Sequence, residues 1–171
     1  DKKRVLVTCG THLKWEKERM VERAKKLSQL YPDYLFYVTL GEASGLGNPP
    51  RELAENLLLF DYLPYTDILD KIDFAIHHAG TGIMMACIEH EIPSLILPQD
   101  YDQFDNAVRA ELAQVGLVSR RKNDAEVLRL FKELTDRTDW SQLKNLAQQS
   151  KEYQPTEILY QELGQLLKVD L

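Results

Sequence analysis

A chain of 171 residues with 44% hydrophobic and 28% charged side chains can bury one substantial core, so residues 1–171 read as a single globular domain. A net charge of −6, with no run of Lys and Arg interleaved with aromatics, argues against a nucleic-acid surface. Apolar runs such as LLLF at 57–60 and SLILP at 94–98 are too short to span a bilayer. Cys9 and Cys87 lack metal-type spacing and read as buried fillers in a reducing compartment, so a cytoplasmic protein is expected, membrane-associated only through a partner.

Val5 to Thr8 is a short apolar strand that runs into Cys9-Gly10-Thr11. Residues 16–30 follow as a helix, with Met20, Val21, Ala24 and Leu27 on one face and charges opposite. Tyr34 to Leu40, β-branched and aromatic, predicts a second strand. Residues 41–50 read as a loop and Asn56 to Phe60 as a third strand. A short helix is expected over Asp67–Ile72, a fourth strand over Phe74–His77, a helix over Met84–His90 and a fifth strand over Ser94–Leu97. Met84 and Met85 read as core. Phe104, Ala107, Val108, Leu112 and Val115 form the apolar stripe of the next helix, which Gly116 ends. Leu117 and Val118 make the last strand. Asn123 caps a further helix, with Glu126 placed for a capping box. Two helical stretches, about 139–150 and 156–168, finish the chain.

Strands alternating with helices imply an α/β fold with a doubly wound, Rossmann-like parallel sheet. Ligands of such sheets bind beyond the carboxyl ends of the strands, where four polar turns of this chain converge. The richest is His77-His78-Ala79-Gly80-Thr81-Gly82, which leaves a strand and opens a helix. Its unpaired N–H groups meet the positive end of the helix dipole, which makes a phosphate site. Asp102 and Gln103, after the next strand, suit hydroxyls rather than a second anion. Phosphate beside hydroxyls describes a nucleotide-sugar. His77, one residue before His78, faces the opposite side of its strand and reads as structural. His12 borders the same edge, and His90 closes a helix.

The pattern HHAGTG…IPSLILPQDYDQFDNA, with DYLPYTDIL and VLVTCGT before it, resembles the C-terminal, nucleotide-sugar-binding half of GT-B glycosyltransferases. The resemblance is to the UDP-glycosyltransferase family, particularly its bacterial macrolide-type members. It implies that Gly10 and Thr11 approach the diphosphate of a UDP-sugar, that Tyr62 stacks on the base and that Leu63 offers it backbone groups. It further implies that His78 contacts the diphosphate, that Gly80, Thr81 and Gly82 cradle it, and that Asp102 and Gln103 hold the sugar. Three positions depart from the pattern: Ile83 replaces a Ser or Thr, Tyr65 a base-reading Gln, and Ala86 a ribose-binding Glu.

The resemblance implies a hexosyltransferase that uses no metal and no cofactor. Asp100-x-Asp102 is a metal-diphosphate signature only in a different glycosyltransferase fold. His78 and the N–H groups would stabilise the charge that develops on the leaving diphosphate. The general base belongs to an N-terminal acceptor-binding domain that this chain lacks. The opening at Asp1 reads as excision from a longer enzyme, and a separate partner subunit is the other way to complete the site. The alternatives are a sugar-nucleotide epimerase-like domain and a non-enzymatic nucleotide-binding module.

Overall fold

The computed structural model of the chain describes residues 2–167. In chain order the elements are β1 (Lys3–Thr8), α1 (Lys17–Leu30), β2 (Tyr34–Thr39), β3 (Arg51–Ala54), β4 (Leu57–Phe60), β5 (Phe74–His77) and α2 (Thr81–Glu89). There follow β6 (Ser94–Ile96), α3 (Gln103–Leu112), β7 (Gly116–Val118), α4 (Asp124–Asp136), α5 (Ser141–Glu152) and α6 (Pro155–Leu167). The last predicted helix thus has its final position, 168, outside the described residues. No helix among the described residues is long and apolar enough to cross a membrane.

The seven strands form one sheet in the order β3-β4-β2-β1-β5-β6-β7. Every pairing is parallel except that of β3 with β4. The parallel strands therefore run third, second, first, fourth, fifth, sixth, the doubly wound order. Side chains alternate across the sheet as the strand period requires. Val5 and Val7 of β1 meet Met20, Ala24 and Leu27 of α1 and Val127, Leu130 and Phe131 of α4 on one face. Leu6 and Ala75 meet Ile83 and Cys87 of α2, with Ile68, Leu69 and Ile72, on the other. Phe36 and Phe131 are fully buried, and each such side chain contributes roughly 1.5–3 kcal/mol by leaving water. Burial pushes the Cys9 thiol to about 11 and the Cys87 thiol to about 12, so both are neutral fillers at pH 7.

The structure differs from the local expectations at five points. The 41–50 loop leads into β3, an edge strand with all four residues exposed, whose hydrophobic period is absent because neither face is covered. The helix expected over 67–72 is two 3-10 turns, Tyr65–Asp67 and Leu69–Lys71, which let Ile68, Leu69 and Ile72 all reach the core. In α3 the buried side is Gln103, Ala107 and Ala110. Small side chains lay this helix on β7, while Phe104, Val108 and Leu112 are 49%, 49% and 78% exposed. α3 ends at Leu112, where Gln114 takes the left-handed turn; Gly116 begins β7 instead. Met84 packs against the core, but Met85 is exposed.

Candidate functional site

In a doubly wound sheet the crevice opens where the strand order reverses, here between the carboxyl ends of β1 and β5. β1 and β2 end alike. Thr8 Oγ accepts from the Gly10 N–H at 3.0 Å, and Thr39 Oγ from the Gly41 N–H at 3.3 Å. Both glycines take positive φ, +71° and +67°. Their backbones approach so closely that a Cβ on Gly41 would lie 2.5 Å from the Gly10 carbonyl oxygen. The Gly10 N–H is thereby engaged inside the turn.

Across the crevice, the His78 ring occupies the space that two missing side chains leave. A Cβ on Gly10 would lie 2.7 Å from its Cε1, and one on Gly80 would lie 2.4 Å from its Nε2. Gly10, His78 and Gly80 are thus brought together as one unit. Burial lowers the His78 pKa below its usual value, while the Thr8 backbone and Asp102 raise it and His12 lowers it. Its Nδ1 is buried without a hydrogen-bond partner. His77 is structural: it is fully buried, its pKa falls to about 3, and its Nδ1 accepts from the Ala79 N–H at 3.1 Å.

Ala79 turns the chain at φ 68°, and α2 begins two residues later with Gly80 extended at its N-cap. No side chain caps this helix. Among the described residues the N–H groups of Thr81, Gly82 and Ile83 have no acceptor, so three donors and the helix dipole face outward. Nothing stands within 4 Å of the Cβ position of Gly82, which leaves room for a ligand. Ile83, the first departure from the pattern, is 3% exposed and packs into the core, so it brings only its N–H to the turn.

The second strand-end loop carries Asp102 and Gln103. Asp102 is exposed, and its Oδ2 accepts from Thr81 Oγ at 3.3 Å and from Asn106 Nδ2 at 3.0 Å. Thr81 therefore joins the loop to the turn. Gln103 is buried, and its Oε1 accepts from the N–H groups of Gln99 and Asp100 at 2.9 and 3.2 Å, which shapes the loop around Asp102. Lys122 braces that loop through the Pro98 carbonyl at 2.9 Å, with its ammonium 5.3 Å from the Phe104 ring centre. Asn106 and Lys122 were not expected from the sequence. The signal for Asn106 was its position four residues after Asp102 on one helix face. Lys122 comes from a distant turn and had none.

On the far side of β1, Tyr62 and Leu63 follow β4 and are half-buried. The Leu63 side chain packs into the core, and its backbone groups make no hydrogen bond among the described residues. Tyr65, the second departure, turns inward, with its hydroxyl 3.1 Å from Thr8 Oγ. Ala86, the third, packs against the core. Thr11 and His12 are exposed at the rim.

The spinosyn forosaminyltransferase SpnP superposes with a TM-score of 0.77 at 22% identity, covering 98% of this chain and 44% of that one. The spinosyn rhamnosyltransferase SpnG, in complex with thymidine diphosphate, superposes at 0.70 with 19% identity over 86% of this chain and 41% of its own. Both likenesses establish the fold. In sequence, a sterol 3-beta-glucosyltransferase of Komagataella phaffii is 34% identical over 58% of this chain and 8% of its own length. A human UDP-glucuronosyltransferase 3A2 is 35% identical over 46% of this chain and 16% of its own. The chain thus spans less than half of each of these proteins. Residues 38–165, more than half of the chain, match the erythromycin biosynthesis protein CIII-like C-terminal domain, and the chain belongs to that family.

Proposed function

We propose that this chain is the donor-binding domain of a metal-independent glycosyltransferase, taking a pyrimidine nucleoside diphosphate sugar. The observation that carries the reading is the turn at the switch point. Three unpaired N–H groups at the start of α2 stand beside His78, itself seated between Gly10 and Gly80. That geometry supplies donors and a positive dipole for a diphosphate without recruiting another charge. Uridine diphosphate and thymidine diphosphate both fit the comparison proteins, one named for UDP and one complexed with thymidine diphosphate. Tyr62 would carry the base on its ring and Leu63 would offer backbone groups to the base edge. Asp102 would take sugar hydroxyls through the oxygen that Thr81 and Asn106 leave free. Gln103 would contribute its remaining Nε2, with Thr11 at the rim of the diphosphate.

The chemistry follows from where charge moves. A nucleophile attacks the anomeric carbon, the bond to the diphosphate oxygen breaks, and that oxygen gains negative charge. Donors aimed at it gain strength as the bond breaks, so they stabilise the transition state more than the ground state. His78, neutral at pH 7 when unliganded, becomes a better proton carrier beside a diphosphate, whose charge raises its pKa. The acceptor and its base would come from an N-terminal domain, in cis or as a partner subunit.

Calorimetric titration of the purified chain, with chelator present, tests the reading. UDP or thymidine diphosphate should bind with Kd in the high micromolar to millimolar range, about −4 to −6 kcal/mol, because half of the cleft is absent. Purine diphosphates should bind more weakly. Absence of binding by both pyrimidine diphosphates at several millimolar would sink the proposal.

A further inference from the structure

We propose that Asn106 is a positioning residue that locks the phosphate turn to the sugar-reading carboxylate, so that diphosphate and sugar are recognised as one unit. The inference rests on the donor-site reading above and goes beyond it by coupling its two halves. The Nδ2 of Asn106 lies 3.0 Å from the Ala79 carbonyl oxygen and 3.0 Å from Asp102 Oδ2. Each amide hydrogen therefore has one strong acceptor, and Thr81 Oγ at 3.4 Å is a third, longer contact. The Asn106 backbone N–H donates to the Asp102 carbonyl at 2.9 Å, which fixes where the side chain starts.

Both acceptors matter to a ligand. Ala79 is fully buried in a left-handed conformation that a non-glycine residue adopts only when its surroundings hold it there. It is held from both sides, its N–H by His77 and its carbonyl by Asn106. That carbonyl lies before the N-cap, in a left-handed residue, and accepts from Asn106, while the Ile83 N–H is the last of the donors that the start of α2 leaves unpaired. At the other end, Asn106 and Thr81 together occupy Oδ2 of Asp102 and leave Oδ1 for a hydroxyl. One amide thus holds both the turn that aims the phosphate donors and the carboxylate that faces the sugar.

Other side chains cannot do both. Aspartate is isosteric but places carboxylate oxygens against a carbonyl and a second carboxylate. Alanine leaves the buried Ala79 carbonyl without its donor.

The test compares Kd for UDP and for UDP-glucose in the wild type, Asn106→Asp, Asn106→Ala, Asp102→Ala and the Asn106→Ala/Asp102→Ala double variant, all as the full chain. The ratio of the two Kd values reads the sugar, and the UDP Kd alone reads the cradle. Both Asn106 variants should weaken UDP at least tenfold and bring the ratio close to that of Asp102→Ala. The double variant should show no further loss in the ratio. Thermal melts identify any variant that fails to fold, and the isosteric Asn106→Asp then carries the comparison. Wild-type UDP binding with unchanged UDP affinity in the Asn106 variants overturns the lock alone. Additive losses in the ratio do the same. If the wild-type chain binds neither ligand, the donor-site reading falls and the lock with it.

Discussion

At the end of β1, a histidine ring and two glycines compete for one small space, and the glycines give way. Gly10→Ala would bring a methyl group to 2.7 Å from His78 Cε1 at a backbone angle of +71° that L side chains avoid. Left-handed strain alone costs about 1–2 kcal/mol. Urea denaturation should therefore show a loss of at least that size, together with loss of UDP binding as the ring is displaced. His77 yields a prediction with a definite sign. Its folded pKa is about 3 against 6.5 unfolded, so the unfolded chain binds the extra proton between those values. Stability is full above about pH 6.5 and falls as pH drops through this window, by about 2 kcal/mol at pH 5. His77→Asn keeps an acceptor for the Ala79 N–H but does not titrate. Its stability difference from wild type should shift by that amount between pH 7 and pH 5. A constant difference would show that His77 is protonated in the fold without penalty.

Among the elements, α2 and α4 begin in opposite ways, and the contrast separates binding from stability. α4 has a side-chain cap: Asn123 Oδ1 accepts from the Glu126 N–H at 2.9 Å. Glu126 Oε2 accepts from the N–H groups of Arg121 and Lys122 and from Ser119 Oγ. α2 has no side-chain cap, and its donors are left for something else. Asn123→Ala should cost about 1 kcal/mol of stability, measured by chemical denaturation, with UDP affinity unchanged. A change in affinity would mean that the α4 turn reaches the site. The Asn123 cap was legible in the sequence because its partner is three residues on, but Glu126 accepts from Arg121 and Lys122 rather than closing a capping box on the Asn123 N–H. The strands and the His-Ala-Gly turn were legible because they bury apolar runs or need small residues. The α3 stripe was misread because size alone hides direction: Phe104, Val108 and Leu112 have helical spacing yet face solvent, while Ala107 and Ala110 are the core. β3 had no apolar face to announce it. The inward turn of Tyr65 and the hold of Lys122 on Pro98 depend on residues more than twenty positions away, which no local pattern encodes.

For the whole molecule, the decisive feature is that the crevice has one wall. Every candidate group lies at the carboxyl edge of a single sheet, and the chain covers 44% or less of the glycosyltransferases compared with it. Sugar transfer needs an acceptor held in line with the anomeric carbon, and positioning of that kind supplies up to about 7–11 kcal/mol of a barrier. It also needs a base opposite the leaving group. His78 is seated against Gly10 and Gly80, His77 is buried and neutral, and His90 pairs with Asp70 at 2.8 Å at the end of α2. His12 alone is exposed at the rim and close enough to lower the His78 pKa. The isolated chain should therefore bind UDP-sugar but transfer no sugar to any acceptor in a panel of hydroxylated macrolides and sterols, assayed by mass spectrometry. Supplying an acceptor-binding N-terminal domain, in cis or as a separate chain, should restore transfer, and that transfer should survive His12→Ala. Glycosylation by the isolated chain that disappears in His12→Ala would make His12 the base and this single wall a complete enzyme.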